Sequence, residues 1–262
     1  MGRSDLMYSK VKQITRTGNA GTGSSNAIKD KNGVLLTEPE EVKGRWKEYI
    51  EELYCASEKP KFDELGIEAE SSVEEDNRGP DLLGDEIRTA IKEIKTGKAV
   101  GVDEIPAEFL KIMGEEVYIH LERICKKMYV TGTWPEDFTK VVMVPLKKKQ
   151  NATECADHRT ISLISHASKI LLRILTKRVE GKVNDYMGKT QFGFRKGCGT
   201  RDAIGVMRML CERSLELNND VYVCFVDFEK AFDRVNWKKM MEVLKKLGVD
   251  WRDRRMISNL YM

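Results

Sequence analysis

Residues 221–233 read VYVCFVDFEKAFD, and the reading of the fold turns on them. Val221 to Phe228 is apolar at nearly every position and rich in β-branched and aromatic residues. A strand covered on both faces has this pattern, whereas a half-exposed strand alternates. The expectation is therefore a central strand that ends in a carboxylate, Asp227. A carboxylate there is costly to desolvate unless arginine, lysine or a hard metal ion compensates. Taken alone, such an aspartate is more often a helix cap or a salt-bridge partner than a ligand.

Working outward, Asn236 is placed to cap a helix bearing Met240, Leu244 and Leu247 that Gly248 closes. A helix is expected from Asp202 through Leu217. From Ser168 to Tyr186, Ile170, Leu171, Ile174, Leu175, Val179 and Val183 alternate with Lys169, Arg173, Lys177 and Lys182. This spacing predicts an amphipathic helix with a basic outer face. Val141 to Leu146 has strand character interrupted by Pro145, and Ile161 to Ile164 is a second short apolar run. Three further helices are predicted: Asp85 to about Lys95, one bearing Phe109, Leu110 and Met113, and one with Leu121, Ile124, Cys125 and Met128 ending near Gly132. Nearer the start, a helix over about 38–54 aligns Val42, Trp46, Tyr49, Ile50 and Leu53 in one buried stripe. Asp30-Lys31-Asn32-Gly33 reads as a tight turn. Residues 18–26 (GNAGTGSSN) read as a flexible break, and the acidic stretch 58–81 as a loop or linker. The mixed order of helices and strands leaves the class at α+β or α/β.

Composition excludes several classes. Hydrophobic residues make up 41% of the 262 and charged residues 33%, which permits an ordinary core. No apolar run approaches the length of a membrane span. The opening MGRSDLMYSKVKQ lacks an apolar core, so no signal peptide is expected and the protein is placed inside the cell, in cytoplasm or nucleus. Six cysteines show neither C-x-x-C spacing nor a His/Cys cluster, so reduced packing cysteines are expected. The net charge of +3 hides a polarity. Thr37 to Glu86 holds 17 acidic and 6 basic residues, whereas Lys140 to Arg201 holds 14 basic and 4 acidic. A basic block interleaved with aromatic residues suits a polyanion, although a solvated helix face gives the same charge pattern.

The stretch FVDFEKAFD (225–233) resembles the first palm motif of reverse transcriptases of non-LTR (LINE-type) retrotransposons. Other segments resemble blocks of that family in the same order. GKAVGVDEIPAEFLK (97–111) is similar to a segment usually written GKAPGPDGIPAEFLK. VVMVPLKKK (141–149) with DHRTISLIS (157–165) is similar to the fingers segment that ends in RPISL. QFGFRKGCGTRDAI (191–204) is similar to the following Q-x-GFR block, and residues 28–54 to the region between the endonuclease and polymerase domains. No single block carries the resemblance; their order does. It covers roughly residues 28–250 and implies an α+β fold, the fingers and the start of the palm of a right-hand polymerase. On this reading residues 1–80 are a linker or N-terminal extension with one helix, and 81–262 are fingers and partial palm.

The resemblance implies roles residue by residue. Asp227 matches the first metal-binding aspartate, with the carbonyl of Phe228 beside the same Mg²⁺. Two such ions align the attacking hydroxyl and stabilise the leaving phosphate in nucleotidyl transfer. Phe232 matches the bulky residue against the sugar of the incoming nucleotide, where a ring leaves no room for a 2′-hydroxyl. Arg159 matches the arginine that meets the triphosphate. Lys148 matches the fingers lysine, an assignment that Lys147 and Lys149 leave open by one position. Gln191, Gly193, Phe194 and Arg195 match the block along the template, and Asp233 is expected to be structural. Val100, Val102 and Thr160 depart from the pattern, each standing where the family has a proline that would stiffen the loop.

Partners implied are an RNA template, a DNA primer and a deoxynucleoside triphosphate, with no membrane. The oligomeric state is left open. The Asp-Asp hairpin and thumb of the family have no counterpart in these residues, so weak or absent Mg²⁺ binding and no activity from this chain alone are expected. The alternatives are a non-catalytic RNA-binding remnant and an unstable coding relic.

Overall fold

Asp30 organises the first turn: its carboxylate accepts from the backbone N–H groups of Asn32 and Val34, both at 2.8 Å. Gly33 follows at φ +85°, in the left-handed region that favours glycine. The turn joins β1 (Ile28–Lys29) to β2 (Leu35–Leu36), antiparallel with Ile28 opposite Leu36. These details come from a computed structural model, which describes residues 27–55, 65, 67–69, 72–228 and 230–261. The Gly/Ser-rich stretch 18–26 and much of 58–81 lie outside the described residues.

The chain divides into two compact units. The first takes residues up to Glu52 together with Leu146–Arg159. Here α1 (Pro39–Cys55) starts on proline with Glu40 and Glu41 in its first turn, where both suit the helix dipole. Its apolar stripe is half-buried rather than buried. Trp46 stands edge-on to Tyr49 and to His158, with centroids 5.9 and 5.3 Å away. Ile28, Ala152 and Cys155 of the same unit are buried. The Lys29 amide donates to the Thr153 carbonyl at 2.8 Å.

The second unit, Leu53–Pro145 with the residues from Thr160 onward, is mainly helical. After the single turn α2 (Glu75–Arg78) come α3 (Gly84–Glu93), α4 (Ala107–Ile112), α5 (Glu115–Thr131) and the short α6 (Glu136–Thr139). Then follow α7 (His166–Val183), α8 (Thr200–Leu217), α9 (Trp237–Lys246) and α10 (Trp251–Ser258). β3 (Val142–Lys147) and β4 (His158–Leu163) pair as an antiparallel hairpin whose base belongs to this unit and whose tip belongs to the first. The class is thus mixed α+β.

The main core joins α3, α5 and α7 through Ile87, Ile91, Leu121, Cys125, Ile170, Leu171 and Ile174. Helical spacing picked these out, and Phe109 and Ile124 as well, which are exposed. α5 ends on Gly132 in the left-handed conformation, and the Asn236 side chain accepts from the Lys239 amide to cap α9. Gly101 shows why the GKAVGVD loop needs glycine: a Cβ there would lie 2.4 Å from the Ser165 nitrogen and 2.6 Å from the Ile164 carbonyl carbon. Among the described residues no helix is long and apolar enough to cross a membrane.

Two expectations are corrected. Residues 219–228 form no strand, and Val221 to Phe228 are exposed throughout. A strand needs a neighbour to take its N–H and C=O groups, and among the described residues none runs alongside. Cys198, Cys211 and Cys224 are exposed, so of the described cysteines only Cys125 and Cys155 pack inside. Asp250 stands at the N-cap of α10, within which Asp253, Arg254 and Arg255 are all buried.

Candidate functional site

In the first unit, Lys148 and Lys149 are engaged close by. Lys148 donates from its backbone to the Asp157 carbonyl and from Nζ to the Ala156 carbonyl, each at 2.9 Å. Lys149 pairs with the Asp157 carboxylate at 3.0 Å. Arg159 is exposed on β4, and its side chain makes no hydrogen bond or ion pair among the described residues. Its guanidinium is the cation of this hairpin best placed to meet an external anion.

In the second unit, the template-type block follows α7 as a series of turns. The Gln191 amide donates to the Gly188 carbonyl at 3.0 Å, and its side chain donates to the Gly193 carbonyl at 3.3 Å. Arg195 Nη1 also reaches the Gly188 carbonyl, at 3.1 Å. Gly193 has open space where a Cβ would stand, so no close approach here demands glycine. Phe194 sits at φ +60°, unusual for an aromatic residue, and is 91% exposed. Its ring meets that of Phe232 edge to face, centroids 6.1 Å apart. Two residues from separate motifs, one assigned to the template and one to the nucleotide, thus share one exposed aromatic cluster.

Phe232 lies in a turn that Lys230 enters at φ +52°. Asp233 closes that turn through its amide to the Lys230 carbonyl, and its carboxylate accepts from the Tyr54 hydroxyl, each at 3.0 Å. Sequence reasoning missed Tyr54, because nothing in the helix pattern marks a side chain that reaches 179 residues along the chain. Asp227 and Phe228 are exposed on the extended segment, and among the described residues the Asp227 side chain has no hydrogen bond or ion pair. Among the described residues no group of three or more His, Cys, Asp or Glu is placed to hold a metal ion. One lone carboxylate does not fit Mg²⁺, which keeps most of its waters unless several oxygens replace them.

The basic block is less available than its composition suggests. Of its 14 Lys/Arg, at least six pair with carboxylates: Lys140, Lys149, Arg173, Lys177, Arg178 and Lys182. Arg173 and Lys177 clamp Glu93 at 2.6 and 2.7 Å, and these hydrogen bonds hold its carboxyl below the usual range. Arg178 points inward. It binds Glu86 with both Nε and Nη2, and the Tyr129 hydroxyl with Nη1. Tyr129 in turn donates to Asp253 at 2.8 Å. Burial pushes Asp253 up, against its bond from Tyr129 and the nearby Arg178 charge. Burial opposes ionisation of Glu86 too, yet Arg178 holds it below the usual carboxylate range.

Residues 146–261 match the family model described as reverse transcriptase (RNA-dependent DNA polymerase). The RNA-directed DNA polymerase from mobile element jockey of Drosophila funebris is 25% identical over 154 residues, 58% of this chain and 17% of its own length. The Retrovirus-related Pol polyprotein from type-1 retrotransposable element R1 of Bradysia coprophila is 26% identical over 167 residues, 62% of this chain and 16% of its own length. The probable RNA-directed DNA polymerase from transposon BS of Drosophila melanogaster is 28% identical over 173 residues, 62% of this chain and 18% of its own length. The chain thus covers less than a fifth of these curated relatives. It carries a reverse-transcriptase-like domain related at low identity to those of non-LTR retrotransposons.

Proposed function

We propose that this reverse-transcriptase-like chain supplies the fingers and the first palm motif of an RNA-directed DNA polymerase that uses an RNA template, a DNA primer and deoxynucleoside triphosphates. One observation carries the reading. All nine residues singled out from sequence (Lys148, Arg159, Gln191, Gly193, Phe194, Arg195, Asp227, Phe228 and Phe232) fall inside the matched stretch 146–261. The Phe194–Phe232 contact supports it by joining the template and nucleotide motifs at one surface.

In this reading Arg159 offers a planar, permanently charged fork to the triphosphate. Phe232 bars a 2′-hydroxyl by its bulk, and Phe194 offers a face on which a base stacks. Asp227 contributes one metal ligand, and a working Mg²⁺ site needs further carboxylates beside it. These 262 residues taken alone therefore do not extend a primer.

Primer extension on a primed RNA template tests this. No product is expected from the 262-residue chain with Mg²⁺ or Mn²⁺. Fusion to the following palm and thumb of a relative should restore synthesis, Asp227→Asn should abolish it, and Phe232→Val should admit ribonucleotides. Extension by the chain alone would overturn the inactivity, and an active Asp227→Asn fusion would overturn the metal assignment.

A further inference from the structure

A pocket of about 410 Å³ in the second unit opens where the residues after α3 meet the first half of α7. Its walls carry Lys95, Lys98, Lys169 and Arg173 against one carboxylate, Glu93. That carboxylate is already committed, with Oε2 accepting from Arg173 and Oε1 from Lys177. The pocket is therefore built from cations with no spare anion on its own walls.

His166, the first residue of α7, also lines this pocket and is 1% exposed. Among the described residues neither of its ring nitrogens has a hydrogen-bond partner. A buried imidazole left without hydrogen bonds is costly, and native structures seldom tolerate it without a ligand or water. α7 has 18 residues, so its positive end lies at His166 and favours a negative group there. Lys169 stands one turn further on, itself desolvated. Asp103 and Glu108 are the carboxylates that act on this corner from neighbouring segments, and they do not offset it: burial and Lys169 still hold His166 below its usual range.

We propose that this pocket binds a phosphate group, with the His166 ring and the Lys169 ammonium as its inner donors and Lys95 and Lys98 at its rim. The inference stands apart from the polymerase reading, since it uses neither Asp227 nor any residue of that motif. The phosphate comes either from a polynucleotide backbone or from a free nucleotide, and the two share the chemistry described.

The chain has three histidines, which makes imidazole NMR a direct reporter. Titrating the labelled 262-residue chain with inorganic phosphate should shift the His166 signals saturably while those of His120 and His158 stay in place. Chloride at equal ionic strength should not reproduce the shift. Lys169→Met should weaken phosphate by about tenfold or more, as loss of a charge-assisted bond does, and Lys189→Met should not. Competition then separates the sources: a short RNA that displaces phosphate more strongly than a nucleoside triphosphate indicates the backbone, and the reverse order indicates a free nucleotide. His166 signals that stay unmoved by phosphate in the wild-type chain would overturn the site, as would an unchanged affinity in a folded Lys169→Met variant.

Discussion

Arg178→Met removes the cation at the centre of the second unit while keeping most of the side-chain volume. Arg178 donates five hydrogen bonds: two to Glu86, one to the Tyr129 hydroxyl, and one each to the Pro80 and Asp81 carbonyls. It also lies 3.5 Å from Asp253, whose side chain is 1% exposed. Counting each charge-assisted bond at about 1.5–3 kcal/mol would overshoot, since groups in one network do not add. The better guide is the cost of stranding a buried partner, about 3–5 kcal/mol. The expected loss is of that size at pH 7, read as the urea midpoint shift at constant slope.

The pH dependence checks the cause. The lowered Glu86 pKa gives the wild type stability that is present above the unfolded value and is lost as the pH falls. The raised Asp253 pKa is a penalty at neutral pH that protonation relieves in acid. The variant lacks the first effect and suffers more of the second. The gap between wild type and variant should therefore narrow from pH 7 toward about pH 4. A gap below about 1 kcal/mol at pH 7, the worth of a surface pair, or one that widens in acid, would refute the reasoning.

Gly101→Ala should destabilise by about 1–3 kcal/mol through the clash with the Ser165 and Ile164 backbone, whereas Gly193→Ala, in open space, should stay within about 0.5 kcal/mol; equal midpoints in denaturant would contradict this. Asn236→Ala should cost about 1 kcal/mol by removing the α9 cap, detectable as faster amide exchange in the first turn of that helix. With at least six of the 14 block cations held in ion pairs, at most eight are left for phosphates. The slope of log affinity for single-stranded RNA against log salt should then be no steeper than about −6. A steeper slope would mean that the ion pairs open on binding.

Periodicity found the helices because their apolar positions fall on one face, as in Ile87, Ile91 and Ile94 or Ile170, Leu171 and Ile174. Caps were equally legible, since Asn236 and Gly132 act within a few residues of where they stand. What pattern could not show was long-range pairing. α10 is among the most polar elements and also among the most buried: Arg254 reaches Glu68, and Arg255 donates to the Tyr129 and Val130 carbonyls at the end of α5. No local window contains those partners. The same limit explains Arg178, one cation among several on a helix whose neighbours face solvent or pair at the surface. It explains the 221–228 segment as well: apolar content signals a strand, but ladder partners lie elsewhere in any chain. Of the site residues, motif order alone suggested them, and only the Phe194–Phe232 pairing required coordinates.

The extended segment has a consequence for handling the protein in solution. From Val221 to Phe228 it carries one charge, Asp227, and no proline or lysine. Tyr222 is 93% exposed and Phe225 88%. A ribbon of this composition is a template for cross-β stacking between molecules, and natural sequences guard such runs with charges or prolines close by. Here Asp220 guards one side and Asp227 the other. The two carboxylates are thus the guards of this run, and concentrated samples of the double variant Asp220→Asn/Asp227→Asn should form thioflavin-positive aggregates faster than the wild type.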